Sequence, residues 1–256
     1  MLGATIGDII GSRFEKHNHK SKHFELFTSQ CRFTDDSVLT WAVAHALLKN
    51  EPFDKSLKSF ARNYPFAGYG NTFKKWVLGL ISGPYHSWGN GSAMRVSPVG
   101  YAFQNLERTL FVAEKSASVT HNHPEGIKGA QAIAGAIWLA RHGKTKAQIR
   151  FFLEHAIGYD LSFTLDEIRP EYRFDVSCQG SVPQAIVAFL EAKDFEDAIR
   201  NAISIGGDSD TIASMAGALA EAYWGDIPNW ISQSAQSYIP DTQWTLIQTF
   251  YRKFSK

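Results

Sequence analysis

The chain has 256 residues, and its 26 lysines and arginines nearly balance 25 aspartates and glutamates, giving a formal net charge of +1. This charge offers no global field for nucleic acid or an anionic membrane surface, and a 44% apolar fraction with 18 phenylalanines is typical of a globular protein with a sizeable core. Two cysteines, Cys31 and Cys178, indicate free thiols in a reducing compartment, and without a leader pattern or a run of ~20 apolar residues we expect a cytoplasmic protein.

The first predicted helix covers residues 2–15 and has glycine at every fourth position, as Gly3, Gly7 and Gly11. This spacing places the glycines on one face, where another helix can approach closely. Asp8 and Glu15 share a neighbouring stripe two turns apart. Glu15, at the end of such a helix, could reach a metal ion or a substrate; the alternative is a solvated terminal residue.

Two acidic clusters directly precede strongly apolar helices: Thr34, Asp35 and Asp36 near the start, and Asp208, Asp210 and Thr211 near the end. Such residues are preferred helix caps, so capping alone explains either cluster in isolation. Capping uses one oxygen, however, and the surplus carboxylates repel one another unless a cation or strong donors compensate them. Hard oxygen ligands suit Mg²⁺, Mn²⁺ or Ca²⁺, so we predict that folding brings the two clusters together around metal.

The remaining periodicity predicts helices separated by polar and aromatic loops. The predicted helices cover residues 54–64, 106–119, 125–142, 146–157, 182–192, 195–204, 211–223, 228–237 and 243–254. Long loops are expected over 16–32, 65–90 and 159–178. No stretch shows sustained strand-like alternation, and no repeat is visible, so the fold class is all-α, in a single domain over residues 1–256.

A glycine-rich segment ends the long loop, with the sequence Trp88-Gly89-Asn90-Gly91-Ser92-Ala93-Met94-Arg95. Glycines beside a helix start allow backbone N–H groups to point at an anion, and Arg95 could add charge or pair with a carboxylate. The segment is neither a Walker motif nor a dinucleotide-binding fingerprint. Further along, His121 and His123 stand at the entrance of a predicted helix, where His123 is expected to be a hydrogen-bonded cap.

Taken in order, these motifs resemble the ADP-ribosylglycohydrolase family, the ADP-ribosyl-acceptor hydrolases that include the dinitrogenase reductase-activating enzymes. The matching segments are Gly3–Asp8 through Glu15, Thr34–Asp36, Gly89–Arg95, Thr120–His121 and Gly207–Thr211. The resemblance covers nearly the whole chain. It implies a compact, orthogonal bundle of helices, in agreement with the all-α pattern.

The resemblance also implies residue roles. Two Mg²⁺ ions, or Mn²⁺, would be held by Thr34, Asp35, Asp36, Asp208, Asp210 and Thr211. Catalytic roles fall to Glu15 and Asp36, either of which could be the general base that activates water. Substrate contacts fall to Ser87, Trp88, Gly89, Asn90, Gly91, Ser92, Met94, Arg95, His121, Gly207 and Ser209, with Trp88 stacking on adenine.

The implied activity is hydrolysis of the bond between ADP-ribose and an acceptor, which could be arginine, serine, a nucleic-acid base or a small molecule. The expected partner is ADP-ribose or an ADP-ribosylated protein, with nucleic acid only as a modified substrate and no membrane. Two alternatives stay open: a Mg²⁺-dependent nucleotide phosphohydrolase and a catalytically silent ADP-ribose-binding module. Because the chain is short for the family, we expect acceptor choice to reside in segments 16–32, 65–88 and 159–180.

Overall fold

A computed structural model of the protein describes residues 1–254. The first half of the chain forms α1 (Leu2–Gly11), α2 (Asp35–Lys49), α3 (Phe53–Asn63), α4 (Asn71–Val77), α5 (Gly91–Met94), α6 (Val99–Ala102), α7 (Leu106–Ser118) and α8 (Pro124–Arg141). The second half forms α9 (Lys146–Phe152), a π-helical turn (Leu153–Ile157), α10 (Leu165–Ile168), α11 (Cys178–Glu191), α12 (Phe195–Ser204), α13 (Ser209–Trp224), α14 (Asn229–Gln236) and α15 (Asp241–Phe254).

The predicted all-α fold is confirmed. Within residues 1–254 the only β pairing is a single bridge between Gly89 and Ser177, which ties the glycine-rich segment to the start of α11. No helix among these residues has the length and apolar character needed to cross a membrane. Both cysteines are buried and free, as predicted.

The packing of α1 against α13 is the closest helix contact near the acidic residues, and it depends on the glycines of α1. A Cβ atom on Gly7 would lie 2.0 Å from the carbonyl oxygen of Ala213 in α13. A Cβ atom on Gly11 would lie 2.5 Å from the Cα atom of Asp210. The predicted close approach is therefore confirmed, and it places the Asp8 side of α1 directly beside the first turn of α13.

Two predicted helix boundaries are wrong, and two short helices lie in segments that were predicted to be loops. The first helix ends at Gly11, so Glu15 lies in the turns that follow it. Helix α11 begins at Cys178, four residues before the predicted start, because it accommodates Pro183, a residue that normally marks a first turn, in its interior. Two segments that were predicted to be loops contain the short helices α4 and α10. With seven and four residues, these helices are too short to show a helical period in the sequence.

Candidate active site

A cavity of about 450 Å³ opens where the first turns of α2, α5 and α13 converge. Among the predicted site residues, its lining contains Glu15, Asp35, Asp36, Ser87, Gly89, Asn90, Gly91, Met94, Arg95, His121, Asp208, Asp210 and Thr211. The lining residues come from segments more than 190 positions apart in the chain. The fold therefore assembles most of the predicted constellation around one space of the size of a small ligand.

The first acidic cluster is organised by Asp8, which sequence reasoning had noticed but had not assigned to the site. The Asp8 carboxylate accepts hydrogen bonds from the Thr34 backbone N–H at 2.9 Å and from the Thr34 hydroxyl at 2.6 Å. It also accepts from the backbone N–H of Ser37 at 3.1 Å and from the Ser37 hydroxyl. Thr34 caps α2 by accepting from the Asp36 N–H. Asp8 and Thr34 thus satisfy the end of α2 and leave the side chains of Asp35 and Asp36 to face the cavity.

The second acidic cluster follows a tight turn at Gly206 and Gly207, whose φ angles of +71° and +76° favour glycine. After this turn Asp208 accepts a hydrogen bond from the Asn90 side-chain amide at 2.7 Å. One turn further, the Thr211 hydroxyl donates to Asp36 Oδ2 at 3.1 Å. This last contact joins the two clusters directly across the cavity floor.

The juxtaposed carboxylates carry the electrostatic signature of a cation site. Oxygens of Asp8, Asp36 and Asp210 lie within 4.8 Å of one another. Burial, followed by repulsion from neighbouring carboxylates, raises the pKa of Asp36 and of Asp210 well above the ordinary value. Burial likewise raises the pKa of Asp35 to about 8 and that of Asp8 to about 6.

One oxygen of this cluster has no protein partner. Asp36 Oδ1 is buried and accepts no hydrogen bond from any residue between 1 and 254. A buried carboxylate oxygen without a donor is costly, and a divalent ion would satisfy it while neutralising its neighbours. The donor set consists only of oxygens, which fits Mg²⁺ or Mn²⁺ better than a softer metal. The cluster could therefore hold a metal ion.

This charge arrangement leads to a prediction about stability and pH in the protein treated with EDTA. At pH values between the pKa of an exposed carboxylate and the raised pKa of Asp8 or Asp35, the folded protein binds more protons than the unfolded chain. The contribution of these groups to the free energy of unfolding therefore falls as pH rises from about 4 to about 8. Melting temperatures of the wild type should decline over this interval more steeply than those of Asp35→Asn. Equal slopes in the two proteins would contradict the prediction.

The glycine-rich segment supplies backbone to the cavity, and two of its polar side chains, Ser92 and Arg95, form hydrogen bonds with other parts of the protein. Gly89, Asn90 and Gly91 border the cavity, while the Ser92 hydroxyl donates to the Gly126 carbonyl at 2.7 Å and does not line it. Arg95 belongs to the cavity wall but is fully buried. It pairs with no carboxylate within residues 1–254, so the ion pair that the sequence offered as one alternative is not present.

Four other predicted residues lie outside the cavity lining: Thr34, Trp88, Gly207 and Ser209. The Trp88 ring is 55% exposed and packs edge-on against His123, with 5.7 Å between ring centroids. Ser209 is buried and donates to the Gly207 carbonyl, so both shape the turn before Asp210. His123 accepts from the Glu125 N–H as the predicted helix cap.

The polar segment after α1 contributes residues that sequence reasoning missed. The Asn18 side-chain oxygen accepts a hydrogen bond from the Gly207 N–H at 2.8 Å. The Lys20 ammonium donates to the Ile205 carbonyl at 2.5 Å and to the Tyr172 carbonyl at 2.6 Å. These contacts hold the turn that carries the second acidic cluster. Nothing in the local sequence signals them, because their partners are more than 150 residues away.

Apolar side chains missed by sequence reasoning form part of the cavity wall. Phe174 and Val176 each remain 52% exposed, and both line the cavity. They lie in the long loop before α11, which the sequence marked as a candidate for acceptor choice. Exposed apolar side chains at the mouth of a polar cavity are available to contact the rings or aliphatic parts of a ligand.

Similarity to known proteins extends over nearly the whole chain. The profile of the family described as ADP-ribosylglycohydrolase matches residues 1–254. Human ADP-ribosylhydrolase ARH3 is 28% identical over 340 positions, which cover 100% of this chain and 93% of that protein. ADP-ribosylarginine hydrolase Tri1 of Pseudomonas putida strain GB-1 is 22% identical over 285 positions, covering 93% and 73%. A solved structure titled "ADP-ribosylglycohydrolase-related protein complex" superposes with a TM-score of 0.75 at 22% identity, covering 98% of this chain and 96% of that one.

Proposed function

Since the chain belongs to the ADP-ribosylglycohydrolase family, a family of hydrolases, we propose that it splits the glycosidic bond between ADP-ribose and an acceptor with the help of divalent cations. The observation that carries the proposal is the hydrogen bond from Thr211 to Asp36, which unites the two acidic clusters on the floor of an open cavity. The glycine-rich segment borders the same cavity. A cation site and a phosphate-binding backbone therefore share one space.

We propose that the site binds two Mg²⁺ or Mn²⁺ ions. The proposed metal ligands are Thr34, Asp35, Asp36, Asp208, Asp210 and Thr211. The hydroxyl protons of Thr34 and Thr211 are directed to Asp8 and Asp36, which leaves lone pairs on both oxygens. Bound divalent ions would supply the positive charge that orients ribose hydroxyls and lowers the pKa of a water molecule. Asp8 supports the site through its hydrogen bonds to the start of α2.

The chain's own carboxylates supply the proton chemistry. Cleavage at the anomeric carbon of ribose builds positive charge on the sugar, which the surrounding carboxylates stabilise. Asp36 is one candidate for the group that accepts the proton of the attacking water. Glu15 lines the same cavity and is the other candidate for this role. Water takes the place of the acceptor, so the products are ADP-ribose and the restored acceptor.

The remaining lining residues are proposed to bind the rest of the substrate. The backbone of Gly89 and Gly91 and the hydroxyl of Ser87 would receive the diphosphate, with His121 beside them. Met94, Phe174 and Val176 would contact the less polar parts of the ligand. Trp88 would stack on adenine from outside the cavity lining, where its half-exposed ring lies beside His123.

Arginine is one acceptor to test, because Tri1 is named as an ADP-ribosylarginine hydrolase. Serine is a second. We expect the protein to release intact ADP-ribose from one of the two modified peptides with Mg²⁺ or Mn²⁺, and we expect EDTA to abolish the release. Separation of the products by chromatography checks the result, since cleavage of the glycosidic bond leaves the diphosphate whole.

The other outcomes distinguish the alternatives. Release of phosphate or a nucleoside monophosphate would identify a nucleotide phosphohydrolase and contradict the proposal. Binding of ADP-ribose without any release from arginine, serine or small-molecule conjugates would identify a binding module. Release that persists in EDTA would contradict the requirement for metal while leaving the hydrolase assignment intact.

A further inference from the structure

We infer that Arg95 and Thr120 are positioning residues which hold His121 as a neutral imidazole with its proton on Nε2, directed at the glycine-rich segment. The chemical class of ligand that this N–H would serve is an anionic oxygen, and its identity as a phosphate oxygen of ADP-ribose rests on the proposed function. Arg95, which the sequence predicted to be a substrate contact, thereby becomes a positioning residue in the cavity wall.

Arg95 has an unusual environment for an arginine. It is fully buried, and its Nη2 donates to the Ser116 carbonyl at 3.1 Å and to the Thr120 hydroxyl oxygen at 2.8 Å. No ion pair within residues 1–254 includes it. A buried guanidinium that is bonded to a hydroxyl and a carbonyl polarises those groups strongly, because little else compensates its charge.

The hydroxyl of Thr120 connects Arg95 to His121 through two hydrogen bonds. A guanidinium has only donors, so Thr120 Oγ1 must act as the acceptor in its contact with Arg95. The same oxygen lies 2.7 Å from His121 Nδ1. Thr120 is fully buried, its hydroxyl also contacts the Tyr85 side chain, and Nδ1 of His121 lies 2.7 Å from it. In the inferred arrangement the Thr120 proton is donated to Nδ1, which must be unprotonated to accept it.

The remaining proton of the ring then lies on Nε2. Burial, with a further contribution from the charge of Arg95, lowers the pKa of His121 well below its ordinary value, so the ring is neutral at pH 7. A neutral imidazole that accepts at Nδ1 carries its hydrogen on Nε2, since the partner of one ring nitrogen determines the state of the other. His121 consequently presents a donor to its surroundings without adding a full charge.

The position of Nε2 shows what this donor faces. It lies 3.1 Å from the point where a Cβ atom on Gly91 would stand and 3.7 Å from the corresponding point on Gly89. His121 lines the cavity, and Nε2 forms no hydrogen bond with any residue from 1 to 254. The N–H is therefore free for a ligand oxygen held against the glycine-rich segment. A side chain at position 91 would occupy the space in front of it.

The tautomer can be read directly by long-range ¹H–¹⁵N NMR of the metal-free protein, with His121→Gln to assign the signal among nine histidines. We expect a pyrrole-type Nε2 and a pyridine-type Nδ1 shifted upfield by the hydrogen bond from Thr120. In Thr120→Val, which preserves the side-chain shape, the upfield shift should disappear, and Thr120→Ser should restore it. A protonated Nδ1 in the wild type, as the other tautomer or the imidazolium, would overturn the inference.

Binding measures the consequence of this positioning. Calorimetry with ADP-ribose should show about tenfold weaker binding by Thr120→Val and near-normal binding by Thr120→Ser, a loss of the size expected for one hydrogen bond to a charged group. In the hydrolysis assay the loss should fall on KM more than on kcat, because a contact to a phosphate oxygen is present before the transition state. Unchanged affinity in Thr120→Val would contradict the positioning role.

The two readouts separate this inference from the proposed function. A protein with the expected tautomer that binds no ADP-ribose would contradict the proposed function and leave the arrangement of Arg95, Thr120 and His121 standing. A protein that hydrolyses its substrate but shows a protonated Nδ1 would contradict this inference alone. Thermal unfolding of both Thr120 variants identifies any loss of folding.

Discussion

Asp36→Asn is expected to lower kcat/KM for ADP-ribosyl hydrolysis by at least about 1000-fold, because one substitution removes a proposed metal ligand and a proposed base together. Asp36 belongs to the first acidic cluster, accepts from Thr211 of the second cluster through Oδ2 and has no partner on Oδ1. Asparagine keeps the volume but replaces one oxygen with an N–H₂ group, which cannot ligate a cation. Asp210→Asn should cause a loss of similar size, since the two carboxylates share the cluster.

A second measurement distinguishes a lost cation site from lost folding. With EDTA, Asp36→Asn should melt at a higher temperature than the wild type, because it removes one of several mutually repelling carboxylates. With Mg²⁺, the wild type should gain stability by mass action while the variant gains little. Asp226→Asn changes an exposed carboxylate outside the cavity lining and is the matched control. Its melting temperature should equal that of the wild type both with EDTA and with Mg²⁺. Full activity in either Asp36→Asn or Asp210→Asn would rule out the shared site.

Gly7→Ala is expected to have the largest effect on stability, lowering the free energy of unfolding by about 3 kcal/mol, at the upper end for overpacking. The added methyl would lie 2.0 Å from the Ala213 carbonyl oxygen and 2.8 Å from the Ser214 nitrogen. Both atoms belong to the backbone of α13, so the two helices must separate. The usual gain of replacing glycine in a helix, about 1 kcal/mol, is too small to offset this strain.

The same separation should weaken the candidate metal site, since Asp8 follows Gly7 and Asp210 lies in the first turn of α13. Denaturant unfolding measures the stability, and the Mg²⁺-dependent rise in melting temperature measures the site. Gly70→Ala is the matched control, because a Cβ there meets no atom within 4 Å, and it should change the free energy of unfolding by less than about 0.5 kcal/mol. A Gly7→Ala protein as stable as this control would show that the contact between α1 and α13 tolerates a methyl group at position 7.

Local chemistry in the sequence was sufficient for the fold class and for selecting many residues that the fold brings to one cavity. Helical periodicity predicted an all-α protein, and glycines at every fourth position of α1 predicted a close helix contact, because both depend on residues a few positions apart. The two acidic clusters were recognisable because each contains more carboxylates than a helix cap can use. Thirteen of the 18 predicted site residues line one cavity.

Only the tertiary structure decided which oxygen atoms face one another and which side chains are turned away. Asp8 is tied to the first acidic cluster because four donors from the start of α2 converge on it. Arg95 is held fully buried in the cavity wall because its partners come from the end of α7 and the turn after it. Asn18 supports the second cluster from 189 residues away. Hydrogen bonds across such distances depend on how the helices pack, and periodicity, capping and motif spacing contain no information about that packing.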